Sequence, residues 1–156
     1  MAQALFANQR ETNLQSTVAL IEEVLGELGH DPGASRASEA TALHAWRIRK
    51  GSALTRVTLI NRTEFTHLRV CSIVMSVDGK VDREALHTKL LELNATLCGA
   101  AFAIDGDHVL MVAERSTLDL DRSEVRELIR RVTTYADDHD DALVAWFGGR
   151  MGDGTT

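Results

Sequence analysis

The chain has 156 residues, of which 44% are hydrophobic, 26% charged and only 4% aromatic, which suits one globular domain with an aliphatic core. A net charge of −6 makes repulsion from phosphate the default for the molecule as a whole. Met1 to Arg10 lacks the apolar core of a signal peptide, and no apolar run approaches the ~18 residues that span a bilayer. A cytoplasmic protein with no membrane segment is therefore expected.

Residues 1–10 read as a flexible N-terminus, 11–149 as the domain and 150–156 as a flexible tail. From Glu11 to Leu28, the residues Leu14, Val18, Ile21, Leu25 and Leu28 recur at helical spacing on one face. Gly29 caps this helix and Pro32 forbids its continuation. Asp31 to Ala40 is small and polar, and reads as a loop. Three extended runs follow. Trp46 and Ile48 alternate with Arg47 and Arg49, Val57 and Leu59 alternate with Arg56 and Thr58, and Phe65 to Val77 is rich in β-branched residues. Gly51-Ser52 and Asn61-Arg62-Thr63 separate them, which predicts a three-stranded antiparallel meander.

A second helix is predicted from the N-cap Asp82, with Leu86, Leu90, Leu93 and Leu97 on one face and Gly99 at its end. Ala100 to Ile104 and His108 to Ala113 flank Asp105-Gly106-Asp107, a hairpin signal. The last helix starts at Asp121 or Ser123 and buries Val125, Leu128, Ile129, Val132, Tyr135 and Ala136. It continues or re-forms through Leu143 and Trp146 before Gly148-Gly149. The order α-β-β-β-α-β-β-α lacks strand–helix–strand alternation, so the expected fold class is α+β, a twisted antiparallel sheet packed with helices in a single domain.

The run Leu90-Leu91-Glu92-Leu93-Asn94-Ala95-Thr96-Leu97, followed by Ala101 to Asp105, resembles the centre of the YbjN family of sensory transduction regulators. Leu118-Asp119-Leu120, Tyr135-Ala136-Asp137 and Ala142 to Phe147 resemble its closing region, and in element order the likeness runs from Thr41 to Gly149. The resemblance implies the fold of the type III secretion chaperones, dimers, and peptide or protein binding without nucleotide hydrolysis.

Motifs for catalysis are not found. No Gly-x-Ser-x-Gly elbow occurs, and the glycine pairs follow the last helix instead of preceding one. His67 and Cys71 lie four residues apart on one strand face, ~13 Å and beyond hydrogen-bond reach. Cys71 and Cys98 form no metal spacing and read as small buried apolar residues. Asp137-Asp138-His139-Asp140-Asp141 offers metal ligands, but on a helix these side chains diverge, so the run reads as solvated surface. No metal, cofactor or catalytic residue is expected. Asn94 is a poor interior helix residue unless its amide is used, and two uses present themselves: local backbone near Gly99, which is favoured, or a dimer interface.

Charge is unevenly spread. Arg36 to Val70 holds seven basic and two acidic residues, whereas the remainder holds ten basic and twenty-one acidic. Arg47, Arg49 and Arg56 fall opposite the apolar positions of their strands, so with Arg69 they form a candidate partner-binding strip on the outer sheet face. The favoured reading is a non-catalytic homodimer of chaperone or regulator type that binds an extended client segment by strand addition. Its acidic body favours a basic client, a nucleic-acid-handling protein being one kind. The alternative is direct nucleic-acid binding through the basic strands. Only Trp46 and Phe65 offer aromatic stacking there, and Trp46 is expected to be buried, so this reading is disfavoured.

Overall fold

The computed structural model describes residues 2–62 and 65–152. Helix α1 (Ala2–Glu27) and the single-turn α2 (Pro32–Ser35) lead into β1 (Arg36–Ala37), β2 (His44–Lys50), β3 (Ala53–Asn61) and β4 (Thr66–Ser76). Then come α3 (Arg83–Asn94), the hairpin β5 (Ala101–Asp105) and β6 (His108–Ser116), α4 (Arg122–Phe147) and β7 (Arg150–Met151). The expected α+β class and antiparallel pairing hold throughout. Among the described residues the sheet has seven strands in the order β1-β2-β3-β4-β6-β5, with β7 pairing β4 off this path.

Alternation along β2, β3 and β4 decides which side chains meet the helices. Trp46, Ile48, Val57, Leu59, Leu68 and Val70 point into one core with Val18, Ile21, Val24 and Leu25 of α1. Leu86 and Leu90 of α3, and Val125, Ile129, Val132, Ala136 and Leu143 of α4, complete it. All three long helices therefore serve a single core on one face of the sheet. Trp46 is its largest fully buried side chain, and its indole N–H donates to Glu22 on α1 at 3.2 Å. The same carboxylate meets Arg36 of β1 at 2.7 Å, and the Arg36 guanidinium lies over the indole, 5.5 Å from its centroid. One glutamate thus ties the first helix to two strands.

Helix α4 starts as expected at Asp121. Glu124 N–H donates to the Asp121 carboxylate at 2.9 Å, and Glu124 returns the contact by accepting from Asp121 N–H at 3.0 Å, a complete capping box. Helix α4 is continuous to Phe147. Beyond it, Gly148 and Gly149 take φ of 79° and 82°, a region open to glycine. They turn the chain back so that Met151 and Arg150 pair with Met75 and Ser76. The expected flexible tail is thus corrected at its start: Arg150 and Met151 form a strand. Residues 153–156 lie outside the described residues.

Other departures from expectation have local causes. Helix α1 begins at Ala2 and not at Glu11, so residues 2–10 are helical; Met1 lies outside the described residues. The segment read as a loop contains α2, which Asp31 caps by accepting from Ala34 N–H at 3.0 Å, and β1. Helix α3 stops at Asn94, short of Gly99, which leaves Cys98 in the following connection and exposed, while Cys71 is buried as expected. The acidic run of α4 is not all solvated surface. Asp140 is 4% exposed and accepts from the Ser52 hydroxyl, while a Cβ at Gly51 would collide with the Asp137 carboxylate. This helix crosses the β2–β3 turn, so two of its aspartates pack on that turn.

Asn94 satisfies backbone, as expected. Its Oδ1 accepts from Phe102 N–H at 2.7 Å and its Nδ2 donates to Phe102 C=O at 3.2 Å, so the amide stands where a further strand would pair with β5. Replacing it leaves two part-buried main-chain groups unpaired. Asn94→Ala is expected to cost about 1–3 kcal/mol of unfolding free energy, measured by urea denaturation.

Candidate functional site

A sheet helix-covered on one side leaves its other face and its edges for contact. The two edges differ. On β5, the Asn94 side chain already occupies the outward main-chain groups of Phe102. On β2, the two residues of β1 pair only with Trp46 and Ala45. Among the described residues, no strand pairs with the outer edge of β2 from Arg47 to Lys50.

The open face carries the strip of arginines expected from alternation. Arg47 pairs across to Arg56, Arg56 to Cys71 and Cys71 to Val112, giving one transverse row. In the neighbouring row Thr58 pairs with Arg69 and Arg69 with Glu114. The four arginines expected to act together divide. Arg56 and Arg69 wall a trough of about 450 Å³. Arg47 reaches Glu39 at a long 3.9 Å, and Arg49 turns to the hairpin, donating to Ser52 C=O at 3.1 Å.

The sequence alone does not single out the trough's other charged groups. Arg62 donates from Nε and Nη2 to both oxygens of Glu114, at 2.6 and 2.7 Å, a bidentate pair. Arg69 adds a third bond to the same carboxylate at 2.7 Å. Recognising this triad requires knowing that β6 lies beside β4, a non-local pairing with no signal in either strand. At the floor, Cys71 packs with Ile73 and Leu110 in a small cluster apart from the main core. Burial pushes the Cys71 thiol up, against the pull of Arg56 and Arg69. The thiol is a packing group and not an activated nucleophile.

No three His, Cys, Asp or Glu side chains among the described residues are grouped to hold a metal ion. No helix among them is long and apolar enough to cross a membrane. Trp46 is fully buried, as expected, so it offers no stacking platform for bases on the basic strands.

Residues 15–153 match the family of type III secretion (YopN, CesT) and YbjN peptide-binding chaperones. The chain belongs to this family. Its fold is that of solved type III secretion chaperones. A chain of the ExsC–ExsE complex superposes with a TM-score of 0.61 at 15% identity, covering 83% of this chain and 94% of that one. A chain of the HopA1–SchA chaperone–effector complex gives 0.58 at 10% identity, covering 84% and 97%. One from the ExoU–SpcU heterodimer of Pseudomonas aeruginosa gives 0.53 at 14% identity, covering 81% and 96%. No curated protein sequence matches the chain.

The triad makes the open face sensitive to acid. The Glu114 carboxyl is lowered from 4.5 to about 2, chiefly by the hydrogen bond from Arg62, with partial burial opposing and Arg69 assisting. A lowered folded-state value means that the stabilisation is present above about pH 4.5 and is lost as pH falls toward 2. The gain is modest, because solvent screens the pair around the half-exposed Arg62. Glu114→Gln is expected to flatten that part of the stability–pH curve, followed by urea denaturation at successive pH values.

Proposed function

We propose that the chain is a non-catalytic, cytoplasmic chaperone or regulator that works as a homodimer and holds an extended segment of a client protein. The observation that carries the reading is membership of a peptide-binding chaperone family across residues 15–153. The unpaired outer edge of β2 supplies a physical means. An extended segment laid beside Arg47 to Lys50 gains main-chain hydrogen bonds irrespective of its sequence, and alternate side chains then supply selectivity. The shortness of β1 is what leaves this edge available.

The dimer reading draws on apolar surface. Leu91 on α3 is 70% exposed and Trp146 on α4 is 58% exposed, and Lys89 of α3 lies 5.3 Å from the Trp146 ring centroid. Both are large apolar side chains left in water on helices, and burying them against a second copy removes apolar area from water. The acidic body of the protein, at a net −6, favours encounter with a basic client.

Two outcomes are expected. Affinity capture from cytosol at low and high salt recovers a specific protein, and on complex formation the amides of residues 47–50 gain protection from hydrogen exchange. Recovery of no specific protein at either salt concentration counts against the chaperone reading. In sedimentation at micromolar concentration, the wild-type chain runs at twice its 17.1 kDa mass, and Leu91→Glu with Trp146→Glu returns it to the monomer.

A further inference from the structure

The stretch of β2 left without an outer partner among the described residues, Arg47 to Lys50, is also the most cationic part of that strand. Arg47, Arg49 and Lys50 are all exposed. By strand alternation Arg47 and Arg49 stand on the open face about 7 Å apart. Ile48, between them, points the other way into the core.

These cations are poorly neutralised within the chain. Arg47 meets Glu39 only at 3.9 Å. Arg49 donates to Ser52 C=O and Lys50 to the Thr134 hydroxyl, both uncharged acceptors. The carboxylates that reach the hairpin turn, Asp137 and Asp140, belong to α4, which packs on the opposite face of the sheet. Glu114 stands on β6, three strands from β2, and is already bound by Arg62 and Arg69. The register adds a cost, because Arg47 lies directly opposite Arg56 of β3, and like charges so placed are destabilising.

An added strand changes this balance. Directly opposed residues of paired strands have their Cβ atoms ~5 Å apart. Two alternate residues of an incoming strand therefore neighbour Arg47 and Arg49 on the open face, and the residue between them falls on the side of Ile48. Carboxylates at the two alternate positions gain cationic neighbours and offset the repulsion between Arg47 and Arg56. A second copy of β2 is the wrong occupant, since pairing edge to edge would set cations against cations.

We propose that the β2 edge selects client segments with acidic residues at alternate positions, their two carboxylates beside Arg47 and Arg49 and an aliphatic residue between them on the side of Ile48. This rests on the chaperone reading and deepens it, because it names the chemistry of the segment held, whatever the charge of the rest of the client.

The test is amide-resolved NMR of the full chain titrated with the capped hexapeptides acetyl-Thr-Glu-Val-Glu-Val-Thr-amide and acetyl-Thr-Lys-Val-Lys-Val-Thr-amide. The Glu peptide is expected to move the amides of Arg47 to Lys50 saturably, with an affinity that falls as salt is raised. The Lys peptide should bind about tenfold more weakly, since two cross-strand pairs turn from attraction to repulsion. Arg47→Glu combined with Arg49→Glu should reverse the order of the two peptides, and its gain of the Lys peptide would show that the edge is intact. Should that variant bind neither peptide, the comparison on the wild-type chain decides alone. Equal affinity of both peptides for the wild-type chain overturns the charge selectivity and leaves the edge as a site for strands of any sequence. Shifts confined to the trough, or none at residues 47–50 with millimolar peptide, overturn the edge assignment, and the chaperone reading then stands or falls on client capture. Tighter occupation of the same amides by an oligothymidylate overturns the peptide assignment in favour of a phosphate ligand. Binding of the Glu peptide by a protein that captures no client overturns the chaperone reading and leaves the selectivity of the edge.

Discussion

Everything in this fold depends on β4. It is hydrogen-bonded to β3 along one side, to β6 along the other, and at its end to β7. Its side chains alternate between two environments. Leu68 and Val70 enter the core shared by all three long helices, while Arg69, Cys71 and Ile73 stand on the opposite face. Because no helix among the described residues covers that face, it has to be stabilised by what the strands themselves supply. A patch of apolar side chains there would invite aggregation. The chain instead places one small cluster, Cys71, Ile73 and Leu110, beside Arg56, Arg69 and the Glu114 triad.

The edges of the sheet are handled in two ways. An open edge is a template for another strand, and proteins blunt such edges unless they use them. The β5 edge is blunted by a side chain, since Asn94 offers both an acceptor and a donor to Phe102 in the manner of a neighbouring strand. Among the described residues, the β2 edge is paired at two residues. This asymmetry, together with the arginines that begin at that edge and run inward, gives the sheet a direction: a segment arriving at β2 meets the open face next. Asn94 blunts the β5 edge at Phe102, whereas among the described residues no strand pairs with the β2 edge beyond Trp46.

The acidic run on α4 shows why position in the fold outranks residue type. Asp137-Asp138-His139-Asp140-Asp141 reads as a metal site or as solvent-facing charge if only the sequence is considered. The structure gives part of it a third use. Asp140 and Asp137 pack on the Gly51-Ser52 turn, holding the β2–β3 hairpin against α4. Lys50 adds a bond to Thr134 at 2.6 Å from the same turn. The hairpin whose edge is proposed to receive a client is therefore anchored by a helix at its turn, next to the unpaired residues 47–50.

How much of this was legible in the chain follows from how local each cause is. Helical spacing of Val18, Ile21 and Leu25, alternation around Trp46 and Val57, the caps Asp82 and Asp121, and the Asp105-Gly106-Asp107 turn all act within a few residues. They determined the elements other than α2, β1 and β7, the fold class, the buried tryptophan and the outward set of arginines without reference to anything distant. The backbone role of Asn94 was also readable, because an asparagine inside an apolar helical stripe needs a partner. The placement of β6 beside β4 was not readable, and with it went the Glu114 triad, the trough, and the separation of Arg56 and Arg69 from Arg47 and Arg49. Nor was the return of Arg150 and Met151 to the sheet, which two glycines permit but do not demand. Short-range stereochemistry and periodicity decide what each segment becomes. Which strands are neighbours is decided by how helices and strands together bury one core, a property of the whole chain that belongs to no segment.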